Sequence, residues 1–150
     1  GWQTNGIVTL QSGGPITVSE GVDVSLSGIG QDRVDLVGDP HLPGDRSREE
    51  KINEWFNKSA FARPAPGTFG TLGRNVLFGP GLATVDFSAF KNFAMPWKES
   101  HKLEFRAEFF NLFNRVNLNN PISSRTSSIF GRITSAGDPR IVQLGLRYSF

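Results

Sequence analysis

The sequence predicts an all-β fold of four long antiparallel strands joined by connections of very unequal length. Two observations support this prediction. Several segments of about ten residues alternate between apolar and polar side chains, which is the pattern of strands with two different faces. Between these segments lie stretches rich in Gly, Pro, Asp and Asn in which no period persists. The strands are placed at about residues 1–11, 82–94, 101–113 and 140–150.

The last predicted strand shows the alternation most clearly. Counting back by twos from the final residue gives five apolar or aromatic side chains, which are Phe150, Tyr148, Leu146, Leu144 and Val142. The residues between them are small or polar, and they include Gln143 and Arg147. This segment therefore predicts a strand with one apolar and one polar face that ends on an aromatic ring.

The two central strands have the same two faces. The apolar positions include Val85, Phe87, Leu103, Phe105 and Phe109. The polar positions include Asp86, Ser88, Glu104, Arg106 and Glu108. In a transmembrane barrel the apolar set faces lipid, and the polar set lines a wet lumen together with Gln143 and Arg147. Charges on neighbouring strands are also expected to pair laterally and stabilise the wall. Aromatic rings near both ends of the strands favour the membrane interpretation, because such rings settle at headgroup depth.

Long and short connections alternate along the chain. We expect loops at about residues 12–81 and 114–139 and a turn at residues 95–100. Barrels of the outer membrane alternate in the same way, with long extracellular loops and short periplasmic turns. One short helix is predicted in the first loop, because Ser47 and Glu50 form a capping box. In that helix Ile52, Trp55 and Phe56 would share one face.

The composition argues against several other functions. There is no apolar run of about 18 residues, so no membrane-spanning helix is predicted. The net charge of +2 is too small to indicate nucleic-acid binding, and without cysteine there is no thiolate metal site. The sequence contains no motif that combines a nucleophile, a base and an acid. We therefore predict neither an enzyme nor a cofactor.

The sequence contains two histidines, His41 and His101. His41 lies near Asp32, Asp35 and Asp39, and aspartate oxygens are ligands for hard cations. The spacing matches no calcium-binding loop, so we favour solvated turn residues and predict no metal site. His101 is interpreted as a surface residue on the periplasmic side.

Four strands are too few to close a barrel. Single-chain bacterial barrels have at least about eight strands, and an open edge in lipid leaves backbone groups unpaired at several kcal/mol each. We therefore expect this chain to be the tail of a longer one. Its partners would then be outer-membrane lipid and the remaining barrel strands.

Four motifs resemble those of a known family. They are FGTLGRN at residues 69–75, GPGLATVDFSAFKNF at 79–93, LEFRAEFFNLFNR at 103–115 and FGRITSA at 130–136. With the closing strand, they resemble the carboxy-terminal strands of TonB-dependent outer-membrane receptors. The subgroup is the Oar-like type of Acidobacteria, which carries a carboxypeptidase-regulatory-like domain.

This resemblance implies a 22-stranded barrel in the bacterial outer membrane with a plug domain in its lumen. It implies uptake of an unidentified substrate, coupled to TonB through an amino-terminal segment outside these residues. It also implies that the barrel-assembly machinery recognises the alternating residues from Val142 to Phe150.

Two alternatives remain open at this point. One is an outer-membrane adhesion or surface-organising barrel that transports nothing, and the other is a soluble all-β binding module. In the soluble module the apolar face would pack on a second sheet and the polar face would meet solvent.

Overall fold

A computed structural model describes residues 1–97 and 101–150. The chain forms two compact units. The first, called the sheet unit, comprises Gly1–Ser12, Gly81–Asn117 and Gly137–Phe150. The second, called the loop unit, comprises Gly13–Pro80 and Leu118–Ala136. In chain order the elements are β1 (Trp2–Gln11), β2 (Pro15–Ile16), β3 (Asp35–Leu36), α1 (Arg48–Asn53), β4 (Phe61–Ala62), β5 (Leu77–Phe78), β6 (Leu82–Ala94), β7 (Lys102–Phe110) and β8 (Ile141–Ser149).

The sheet unit is built on one antiparallel sheet with the order β1-β6-β7-β8. This confirms the predicted all-β fold of four antiparallel strands. The third strand is shorter than expected, because β7 ends at Phe110 rather than near residue 113. There Asn111 takes a positive φ of 52°, and its backbone N–H donates to Asp86 Oδ1 at 2.9 Å. Asparagine tolerates this conformation, and the strand ends there.

The connection between β6 and β7 is short. The backbone N–H of Met95 donates to the carbonyl of His101 at 3.1 Å and so brings the two strands together. Residues 98–100 of the predicted turn at 95–100 lie outside the described residues.

The loop unit has a hydrophobic core of its own. At its centre the rings of Phe56, Phe61 and Phe130 pack edge to face, with centroids 5.4, 5.1 and 6.0 Å apart. Further buried side chains surround them, namely Ile16, Val18, Val34, Ala60, Leu72 and Leu77. Buried aromatic rings dominate the stability of such a core. Since Phe130 comes from the second long connection and the other two rings from the first, the two predicted loops form one folded unit.

The predicted helix is present but short. Ser47 Oγ accepts from the Glu50 N–H at 3.2 Å, and Glu50 Oε2 accepts from the Ser47 N–H at 2.7 Å, which completes the capping box. The helix ends at Asn53, so the prediction that Trp55 and Phe56 share its apolar face is wrong. The reason is that the backbone becomes extended at the next residue, and the N–H of Trp55 donates to Gly131 at 2.8 Å instead of continuing the helix. Among residues 1–97 and 101–150, no helix has the length and apolar character needed to span a membrane.

A buried carboxylate joins the two long connections within the loop unit. Glu20 is fully buried, and it accepts two hydrogen bonds from Arg125, at 2.5 Å from Nε and 2.6 Å from Nη2. Arg63 Nε lies 3.7 Å from the same carboxylate. The hydrogen bonds that the Arg125 guanidinium donates to Glu20 raise the pKa of Arg125. Two parallel bonds between Arg and a carboxylate are a strong and geometrically specific interaction.

Candidate functional site

The register of the sheet places the predicted lipid-facing residues on one face. Directly opposite residues of an antiparallel pair lie on the same face. The opposed pairs on this face are Phe87 with Phe109, Phe109 with Val142, Phe105 with Leu146, and Leu103 with Tyr148. Val85 and Leu144 lie on the same face by alternation. The register therefore brings the five predicted lipid-facing residues and four residues of the predicted assembly signal together.

The β8 side chains of this apolar face are exposed, and several of those on β6 and β7 are half-buried. Leu144 is 65% exposed and Leu146 is 69% exposed, although both are large aliphatic residues. In a soluble sandwich these positions would be covered by a second sheet. A contiguous apolar surface that remains uncovered is typical of a face that meets lipid or another protein.

One lysine interrupts the apolar face. The Lys91 ammonium lies 5.1 Å from the centroid of the Trp2 ring and 5.6 Å from that of Phe93. Both distances are in the range of cation–π attraction. The two rings therefore accommodate a charge on a face that is mainly apolar.

The predicted lumen-facing residues share the opposite face. The register opposes Ser88 to Glu108, Glu108 to Gln143, and Glu104 to Arg147. Asp86 and Arg106 lie on the same face by alternation. A shallow cleft of about 330 Å³ lies on it, lined by Glu104, Arg106, Glu108, Gln143, Gly145, Leu146 and Arg147.

The ion pairs of the polar face run along β7 rather than between strands. Arg106 Nη2 lies 3.5 Å from Glu104 Oε1, and Arg106 Nη1 lies 3.8 Å from Glu108 Oε1. The predicted lateral pairing is not seen, since no ion pair joins Glu104 to Arg147 in the described part of the chain. Arg106 faces Gly145, which offers no side chain, so it reaches the carboxylates two positions away on its own strand. Such half-exposed pairs contribute little to stability.

The arrangement of two chemically different faces on one sheet agrees with a comparison to known families. A family model described as an outer membrane beta barrel domain matches residues 1–143. The chain belongs to this family. No curated protein and no solved structure matched the chain. The outer membrane beta barrel domain places the chain in the outer membrane of bacteria, and the soluble binding module is therefore wrong.

A group of aromatic rings lies at the carboxy-terminal end of β8. Phe150 lies one residue beyond β8, and its ring centroid is 6.2 Å from that of Tyr148. The ring of His101 lies 5.6 Å from Tyr148 and 6.4 Å from Phe150. His101 Nδ1 and the Tyr148 hydroxyl also form a hydrogen bond. His101, interpreted from the sequence as a surface residue, is thus half-buried against the predicted assembly signal.

The aspartates near His41 stabilise separate turns. Asp32 accepts from the backbone N–H of Ser25 and of Val24, at 2.7 Å each, and these bonds lower the pKa of its carboxyl group. Asp39 accepts from the N–H and Nδ1 of His41, both at 2.9 Å, which lowers the pKa of Asp39. Over residues 1–97 and 101–150, no group of three or more His, Cys, Asp or Glu side chains is arranged to hold a metal ion.

Proposed function

We propose that this chain is part of the barrel of a TonB-dependent receptor that takes up a large or scarce substrate across the outer membrane. Membership of the outer membrane beta barrel domain family supports the barrel. The four motifs quoted above support the receptor type, because they resemble the carboxy-terminal strands of that group.

The observation that carries the proposal is the loop unit. A barrel that only passes small solutes does not by itself require its long connections to form a folded unit with a hydrophobic core. In this chain two long connections share one core, with three packed phenylalanine rings and a buried ion pair. Binding residues are commonly presented by loops on a rigid scaffold. The loop unit supplies the fixed surface that selection of a scarce substrate requires.

In this proposal the two faces of the sheet have different environments. The apolar face contacts the acyl chains of outer-membrane lipid, and the polar face with Glu104, Arg106 and Glu108 lines the lumen. The outer edges of β1 and β8 pair with the remaining strands of the parent barrel, since unpaired backbone groups are costly in lipid. The plug domain and the segment that binds TonB belong to the rest of the parent chain. The barrel-assembly machinery recognises the alternating residues that end at Phe150.

Cross-linking to TonB tests the receptor proposal without knowledge of the substrate. The full-length parent protein is expressed with TonB from the same bacterium, and cross-linked complexes are analysed in isolated outer membranes. We expect a covalent complex that disappears when either protein is omitted. A folded, heat-modifiable barrel that forms no complex would contradict the proposal.

Uptake measurements provide the second test. Cells with and without TonB are supplied with a ⁵⁵Fe-loaded siderophore, cyanocobalamin or maltoheptaose. We expect accumulation of one probe to depend on both the parent protein and TonB. If accumulation and cross-linking are both absent while cells expressing the protein adhere to surfaces, the adhesion alternative is favoured.

A further inference from the structure

The loop unit contains a cleft of its own, lined only by residues of that unit. Its volume is about 290 Å³, close to the lower limit of small-molecule sites. Three segments surround it, namely residues 40–44, the end of α1 with Trp55 and Phe56, and β5. No residue of the apolar or the polar face of the sheet lines this cleft.

Hydrogen bonds hold the three segments in place. Trp55 Nε1 donates to the carbonyl of Phe78 at 2.8 Å and joins the end of α1 to β5. The backbone N–H of Asn57 donates to the carbonyl of Pro40 at 2.9 Å, and its Nδ2 donates to that of Asp39, also at 2.9 Å. Phe56, which is fully buried, lines the cleft and also packs in the hydrophobic core of the loop unit. The cleft is therefore preformed, so a ligand would not have to order its walls.

The walls of the cleft are mainly apolar. Trp55 and Phe78 supply flat aromatic surfaces, and Pro40 and Pro43 add rigid aliphatic rings. Phe78 is 55% exposed, so its ring remains accessible to a ligand. Aromatic rings stack favourably on other planar groups. A planar apolar group therefore matches these walls.

The charged residues of the cleft are all cationic. Lys51 Nζ donates to the carbonyl of Gly44 at 2.6 Å. The three nitrogens of the Arg46 guanidinium donate to backbone carbonyls, namely Nε to Pro43 at 3.1 Å, Nη1 to Glu54 at 2.7 Å and to Glu50 at 3.4 Å, and Nη2 to Trp55 at 3.4 Å. These acceptors are neutral, so they do not cancel the charges. In the described part of the chain, no carboxylate lies within 4.0 Å of a side-chain nitrogen of Lys51 or Arg46. His41, which also lines the cleft, forms a hydrogen bond with Asp39.

We propose that this cleft binds a small organic anion. The planar apolar part of the anion packs against Trp55 and Phe78, and its acidic group lies beside Lys51 and Arg46. The inference rests on the proposed function for its biological meaning, which is capture of an external substrate by the receptor. The binding itself follows from the chemistry of the cleft alone.

Two probes that differ only in charge test the proposal. The full-length parent protein in nanodiscs is equilibrated by dialysis against 2-naphthoate or 2-naphthamide, with empty nanodiscs as the blank. A charge-assisted hydrogen bond adds about 1.5–3 kcal/mol, so we expect naphthoate to bind about tenfold more tightly or better. Equal affinities of the two probes, or no saturable binding of naphthoate, would overturn the proposal.

Substitutions assign the binding to the cleft. Lys51→Met retains the aliphatic stem, and it should lower the ratio of the two affinities by about threefold, because one of the two positive charges beside the acidic group is removed while Arg46 remains. Arg48→Met removes a positive charge from the same helix outside the cleft, so the ratio should stay at the wild-type value. An unchanged ratio in Lys51→Met would reject the charged site.

A second variant tests the apolar wall. Phe78→Ala alters an exposed side chain but keeps the carbonyl that accepts from Trp55, so the loop unit should remain folded. It should weaken both probes by about fivefold, the order expected for one stacked ring. Equal binding to Phe78→Ala and wild type would refute the stacking role.

The outcomes separate this inference from the receptor proposal. Cross-linking to TonB with no naphthoate binding would leave the receptor in place and reject the cleft as an anion site. Cleft-dependent naphthoate binding without a TonB complex would reject the receptor and retain the anion site.

Discussion

Removing the charge of Glu20 should loosen the loop unit. In Glu20→Gln the two short bonds to Arg125 lose their ionic character, and a partly buried guanidinium remains without its main counter-ion. Breaking a buried ion pair by changing one partner costs about 3–5 kcal/mol. The side chain of Arg125 is 29% exposed and can regain some hydration. We therefore expect a cost near the lower limit, about 3 kcal/mol.

Hydrogen exchange of the full-length parent in detergent measures this cost locally. The N–H of Ser19 donates to Ser123 at 3.1 Å, and the N–H of Arg125 donates to Ser19 at 2.8 Å, so both amides report on the junction of the two connections. Since each 1.36 kcal/mol is tenfold, a cost of about 3 kcal/mol predicts a loss of protection of about 150-fold. Glu49→Gln, which alters an exposed carboxylate of α1, is the matched control.

The partner substitution provides a further check on the reasoning. Arg125→Ala leaves the fully buried Glu20 carboxylate with only Arg63, 3.7 Å away. An unpaired buried charge is more costly than a partly hydrated one, so Arg125→Ala should reduce protection more than Glu20→Gln. Equal protection in wild type and Glu20→Gln, or the opposite order of the two variants, would refute the proposed role of this pair.

Three further outcomes are expected. Phe105→Arg should cost about 2–4 kcal/mol of barrel stability in denaturant titrations if the position lies near the bilayer midplane. Arg106→Leu should be tolerated better, and the reverse order would contradict the assignment of the faces. Deletion of Phe150 should lower the yield of heat-modifiable barrel in the outer membrane, and an unchanged yield would argue against the assembly signal. The lowered pKa of Asp32 means that its stabilising contribution is present above its ordinary pKa of 3.8 and is lost as the pH falls through the lowered value. Asp32→Asn should therefore reduce the acid sensitivity of exchange protection at the Val24 amide, and identical pH profiles would exclude this contribution.

The alternation in the sequence was sufficient to predict the sheet. Side chains of a strand alternate strictly between faces, so Phe105 and Arg106 could be assigned to opposite faces without knowledge of the pairing. The lateral ion pairs were not predictable in the same way. They depended on which residues face Arg106, and the partners proved to be Phe90 on β6 and Gly145 on β8, neither of which carries a charge.

The loop unit could not be predicted, because its core has no period. Phe56, Phe61 and Phe130 belong to short irregular segments, and only tertiary contacts bring their rings together. The start of the helix could be predicted, because the capping box needs only Ser47 and Glu50, three residues apart in the sequence. The same chemistry did not fix the end of the helix, where the N–H of Trp55 pairs with a distant carbonyl.

The shared core of the two connections imposes an order on biogenesis. The contact between Glu20 and Arg125 spans 105 residues, and Phe130 follows Phe56 and Phe61 late in the chain. Before the barrel is inserted, the polypeptide is in the periplasm. At that stage Phe56 and Phe61 of the first connection are not yet packed against Phe130 of the second. Contacts so distant in sequence form slowly and leave apolar surface open to aggregation. We therefore expect this segment, and not only the strands, to need a holding chaperone until the last hairpin is in place.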